Sequence, residues 1–118
     1  SSRKQRQQVA EARSNIRMAE AHKAADRQRI FYDIQKLVIE IEEHRDKARL
    51  FQTAMLPQAE QSLTSAITGY QVDKVDFLTM LNNQMTLFNF EIAYFRQMVE
   101  HEKRLAGLEA VVGIRFGH

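Results

Sequence analysis

The chain has 118 residues, of which only 4 are Gly and 1 is Pro, and it contains no Cys, so disulfides and thiolate metal sites are excluded. Its 17 Lys and Arg face 15 Asp and Glu for a net charge of +2, too balanced to make nucleic acid the default partner. With 44% hydrophobic residues, there is enough apolar surface for a seam between helices but little for a thick core, and no run approaches the roughly 18 apolar residues of a membrane span. Ala, Glu, Gln, Arg, Lys, Leu and Met dominate, residues that lose little entropy in a helix, and an all-α chain is expected. It opens on Ser1 without a signal peptide, as a segment of a longer or processed protein would.

From residue 3 to 29 the chain is polar and Ala-rich. Val9, Ala12, Ile16, Ala19 and Ile30 form a narrow stripe that predicts a helix needing neighbours to cover it. Arg3, Lys4, Arg6, Arg13 and Arg17 make these first turns basic, read here as a solvated polar face. From Ile30 the stripe strengthens through Ile34, Leu37, Ile41, Ala48, Phe51 and Met55, with Glu42, Glu43, Arg45, Asp46 and Lys47 opposite, as in a coiled-coil seam. His44 falls inside that seam. With Glu40 as its only nearby carboxylate it lacks the ligands of a metal site and is expected to be a half-buried structural histidine.

Pro57 removes one helical hydrogen bond and crowds the carbonyl of Thr53, so a kink is expected within one continuous helix, residues 5–70. A full break, giving a three-helix bundle, is the alternative. The apolar pattern resumes at Ala59, Leu63, Ala66, Ile67 and Tyr70. Gly69 and the polar run Gln71-Val72-Asp73-Lys74 predict a turn at residues 71–76, with Asp73 or Asp76 capping the next helix.

That second helix is predicted over residues 77–112, with Phe77, Leu78, Leu81, Met85, Phe88, Ile92, Phe95, Val99 and Leu105 facing inward and Gly113 as its C-cap. The fold class expected is therefore all-α: a long antiparallel, coiled-coil-like hairpin with a long first helix and a short second one, associating into a helical bundle. At about 1.5 Å per residue the arms measure roughly 100 and 54 Å, leaving the start of the first arm uncovered, so self-association of the segment is expected.

No Glu-x-x-His pairing, His-Glu-x-x-His, phosphate loop or Ser–His–Asp spacing points to catalysis, so no enzyme, cofactor or metal site is expected. Met18, Met55, Met80, Met85 and Met98 are scattered and suit core filling rather than soft-metal transfer. Phe88, Phe90, Tyr94 and Phe95 lie at helical spacing among acidic residues and read as packing, not as a stacking surface for bases.

Tyr70, Val75-Asp76-Phe77-Leu78, Leu81-Asn82, Gln84 and Leu87 form one motif. Leu56-Pro57-Gln58-Ala59-Glu60 and Leu63 precede it, and Glu91, Tyr94, Leu105, Leu108-Glu109 and Val112-Gly113 follow. Together, over about residues 30–113 and without gaps through the turn, they resemble the TolC-type outer membrane efflux proteins, and the Leu-Pro-Gln-Ala and Val-Asp-Phe-Leu details resemble the heavy-metal branch.

The resemblance implies the second periplasmic helical hairpin of a homotrimeric channel, a passive conduit in a tripartite pump. Its location would be the periplasm, as part of an outer membrane protein, and its partners a periplasmic adaptor and, through it, an inner-membrane pump. The tip, residues 69–82, would dock the adaptor and close the tunnel, which singles out Tyr70, Asp73, Lys74, Val75, Asp76, Thr79 and Asn82. In the family an Arg at the position of Val75 and carboxylates at those of Thr79 and Asn82 form an ionic latch with the Tyr. Here only Tyr70 is kept, so closure would rest on packing and neutral hydrogen bonds. Asp73 stands where the family often has Gly, a position of left-handed backbone. The alternative function is a free-standing coiled-coil adaptor or scaffold.

Overall fold

The structure is a computed structural model that describes the backbone of residues 2–115 and the side chains of 2–113. Among these residues there are helices and one turn and no strand: α1 (Ser2–Leu50), a π-helical turn (Phe51–Met55), α2 (Leu56–Gln71) and α3 (Phe77–Arg115). The chain divides into two units, Ser1–Lys36 and Leu37–His118.

In the first unit the helix is open to solvent along nearly its whole length. Val9 and Ile16 of the narrow stripe are exposed, as are Met18, Phe31 and Tyr32, and only Ser14, Asp26, Ile30 and Ile34 are half-buried. Arg29 pairs with Asp26 one turn before it, a surface contact that adds little.

The second unit is an antiparallel hairpin. Its first arm is the end of α1, the π turn and α2; its second arm is α3. A Cβ at Gly107 would meet Leu37 Cδ2 at 3.5 Å, ordinary contact. Arg104 Nε donates to Glu40 Oε2 at 3.2 Å, His44 Nδ1 donates to Gln97 Oε1 at 2.6 Å, and Phe51 meets Phe90 edge to face at 6.0 Å. His44 is thus a structural residue that fixes the register, and Glu40 is held by Arg104, whose guanidinium also pairs with Glu100.

The first arm passes Pro57 without a break: Leu50, Met55 and Leu56 all keep right-handed helical backbone. The disturbance is the π turn just before the proline, where the Leu56 N–H reaches back five residues to the Phe51 carbonyl. The sequence shows why an extra residue is needed there. The inward row Leu37, Ile41, His44, Ala48, Phe51 and Met55 slips by one residue before it resumes as Leu56, Ala59, Leu63 and Ala66. A π turn, wider by one residue than an α turn, absorbs that slip and keeps both halves of the row on one face. Ala59 and Ala66, each 6% exposed, are the most buried residues of the described chain. Their small side chains, one heptad apart on the same face, let α3 approach closely.

On α3 the structure corrects the expected inward face. Phe77, Leu78, Leu81, Met85, Phe88, Phe95 and Val99 are exposed, with Phe88 at 60% and Phe95 at 69%, while Ile92 and Leu105 are half-buried. The side turned to the first arm carries Met80, Asn83, Leu87, Phe90, Tyr94, Gln97, His101, Arg104, Leu108 and Val111, all half-buried. Both rows repeat at alternating steps of three and four. They are offset by two residues, about 200° around the helix. The outer row is the more apolar, which is why hydrophobicity alone selects it. The inner row wins because it holds the partners of the first arm: Gln97 for His44, Arg104 for Glu40, Phe90 for Phe51. A second correction concerns Gly113, which does not end α3; the helix continues to Arg115. One Gly costs a helix only about 1 kcal/mol, too little to stop it.

Candidate functional site

The tip is built from the last turn of α2 and the first of α3. Val72 leaves helical backbone, with φ −108° and ψ 18°, and Asp73 takes φ 57°. The Asp73 N–H then bonds to the Tyr70 carbonyl at 3.1 Å and the Lys74 N–H to the Gly69 carbonyl at 2.8 Å. This is the Schellman pattern, which satisfies the carbonyls left without partners at a helix end. It requires a left-handed residue at position 73. Asp accepts that conformation at a cost Gly would not incur.

The Val75 N–H shares the Gly69 carbonyl at 3.2 Å, which folds the Val75 side chain back onto α2. A Cβ at position 69 would lie 2.5 Å from Val75 Cγ2 and 3.2 Å from Val75 Cβ. Gly69 therefore serves close approach rather than an unusual backbone angle. This role escapes a reading of the sequence that treats the glycine only as a helix weakener; the signal was a Gly six residues before a β-branched residue across a tight turn.

Asp76, rather than Asp73, caps α3. Its Oδ1 accepts the Thr79 N–H at 2.8 Å, while its carbonyl accepts the Met80 N–H at 3.2 Å. Thr79, through its side chain first and its backbone N–H second, holds the Asp76 carboxyl below its ordinary value of 3.8. A depressed carboxylate pKa contributes stability that is complete above the ordinary value and is lost as pH falls through the depressed one. Asp76→Asn is thus expected to flatten the loss of thermal stability that sets in as pH falls below about 4, read as Tm by circular dichroism. An unchanged pH profile would refute the cap's role.

Tyr70 and Phe77 meet edge to face at 6.0 Å across the turn, with Tyr70 and Phe77 both still exposed. Asp73, Lys74, Asp76, Thr79 and Asn82 are exposed as well, and Val75 is half-buried. Of the candidate gate residues, Tyr70 is engaged with Phe77, Val75 with Gly69 and Thr79 with Asp76. The Asn82 carbonyl accepts from Thr86 Oγ1 at 3.0 Å. The tip therefore presents a mixed-charge cap with one exposed aromatic pair. Among the described residues no group of three His, Asp or Glu is placed to hold a metal ion, and no helix is long and apolar enough to cross a membrane.

Comparison of the chain with protein-family models, with curated proteins and with solved structures found no match.

Proposed function

We propose that this chain is a periplasmic helical segment of an outer membrane efflux channel, a passive conduit for export in a tripartite pump. The observation that carries the reading is the two-sided α3. A lone two-helix hairpin needs one apolar row on each arm, whereas a helix in the wall of a ring of helices needs two, facing neighbours on either side. The rows of α3 lie about 160° apart by the shorter way round, which suits a wall. The resemblance of the tip motif to TolC-type proteins supports the same assignment, and the tightly capped turn suits an end that docks an adaptor. On this reading the conduit is a homotrimer, Tyr70, Asp73, Lys74, Val75, Asp76, Thr79 and Asn82 form the adaptor-facing tip, and the driving energy comes from the inner-membrane pump.

The test is fractionation of cells making the intact native protein with an epitope beside Lys74. The epitope is expected to sediment with the outer membrane and to become accessible to antibody only once that membrane is opened. Recovery in a soluble fraction would overturn the conduit and favour a free-standing coiled-coil adaptor.

A further inference from the structure

We infer that the outer row of α3 is a homodimerisation seam on which a second copy of this chain seats antiparallel, with Phe88 at the two-fold axis. The inference does not rest on the conduit reading and concerns the chain by itself; in the wall of a trimer, whose copies run parallel, the same row would face neighbouring helices instead. It rests on the order of residues along the exposed face. About Phe88 the row is nearly palindromic: an antiparallel partner sets Leu78 against Val99, Leu81 against Phe95, Met85 against Ile92, and Phe88 against itself. Each bulky ring except the central one then meets an aliphatic side chain, whereas a parallel partner would stack Phe88 on Phe88 and Phe95 on Phe95.

The flanking residues favour the same direction. Phe77 and Met98, both exposed, occupy equivalent positions at opposite ends of one flank and meet each other only in the antiparallel arrangement, where sulfur and ring make a favourable contact. The other close flanking pairs become Asn82 with Arg96, Asn89 with Asn89 and Gln84 with Glu91, so no like charges oppose. The area is sufficient. With these side chains, apart from the half-buried Ile92, between 37% and 69% exposed, pairing two faces removes on the order of 1,400 Å², within the range of stable interfaces. The same patch is long for a surface left to water.

Because the chain has no Cys, single cysteines report the pairing directly. In the full chain under mild oxidation, Phe88→Cys is expected to cross-link to itself. Leu78→Cys and Val99→Cys are expected to cross-link when mixed, and to do so at least about tenfold faster than either alone. Gln61→Cys, exposed on the first arm and outside the seam, serves as a control and should not cross-link. Light scattering of the unmodified chain at roughly tens of micromolar should give twice the 13.8 kDa chain mass, and Phe88→Glu should return it to one chain mass with helical circular dichroism kept. Self-linking of Leu78→Cys and of Val99→Cys without the mixed product would overturn the antiparallel assignment. A monomer mass for the unmodified chain would overturn the seam as a self-contact and assign it to another partner. Neither result bears on where the protein resides in the cell, which the fractionation decides.

Discussion

Phe90→Ala is expected to destabilise the hairpin by about 2 kcal/mol, while Phe88→Ala, two residues away, changes it by less than about 0.5 kcal/mol. The two rings have the same chemistry and the same helix, so the contrast isolates the face. Phe90 is half-buried and meets the ring of Phe51 edge to face at 6.0 Å. Its loss removes apolar burial against the first arm and an aromatic pair worth about 1 kcal/mol beyond that burial. A fully buried Phe→Ala costs about 3–5 kcal/mol, and partial exposure scales this down. Phe88 is 60% exposed, and its truncation leaves the intrachain packing intact. The measurement is urea unfolding at a concentration low enough to keep the chains apart, since dimerisation would otherwise add its own stability. Equal effects of the two substitutions would mean that the inner and outer rows have been assigned to the wrong sides.

Gly69→Ala is expected to destabilise the tip by about 1–2 kcal/mol, against the usual gain for Gly→Ala within a helix. The new Cβ would stand 2.5 Å from Val75 Cγ2, a separation that forces either the valine or the turn to move. Val75 is β-branched, so its methyl cannot swing away cheaply, and its N–H is tied to the Gly69 carbonyl. Val75→Ala in the same chain removes that methyl and should restore most of the loss. The remaining 3.2 Å approach to the Val75 Cβ explains why the rescue is expected to be incomplete. The double-mutant cycle, read by thermal unfolding, should give a coupling of about 1 kcal/mol. Additive effects would show that the two residues do not touch as the structure has them. Val75 is thus held inward against the glycine rather than reaching out from the tip.

The helical class and the reversal after Gln71 were legible because they depend on local chemistry. Few glycines, one proline and a polar run ending in Asp76 act within a turn or two of themselves. The inner row of the first arm was legible for the same reason, since Leu37, Ile41, His44, Ala48 and Phe51 are the one apolar stripe that stretch offers. The π turn was foreshadowed by Pro57, but its purpose, absorbing a one-residue slip between Met55 and Leu56, emerges only when both halves of the row face a common partner.

The sequence by itself determined that this chain is helical and where it turns, and narrowed the cap of α3 to Asp73 or Asp76, because capping, propensity and spacing are properties of neighbours along the chain. Only the tertiary structure decided which of α3's two apolar rows meets the first arm. The choice depends on cross-arm pairs such as His44 with Gln97 and Glu40 with Arg104, more than 50 residues apart in sequence. Periodicity ranks faces by hydrophobicity, whereas the hairpin selects the face whose polar and aromatic groups find their partners, and it leaves the richer apolar face outward for another chain to cover.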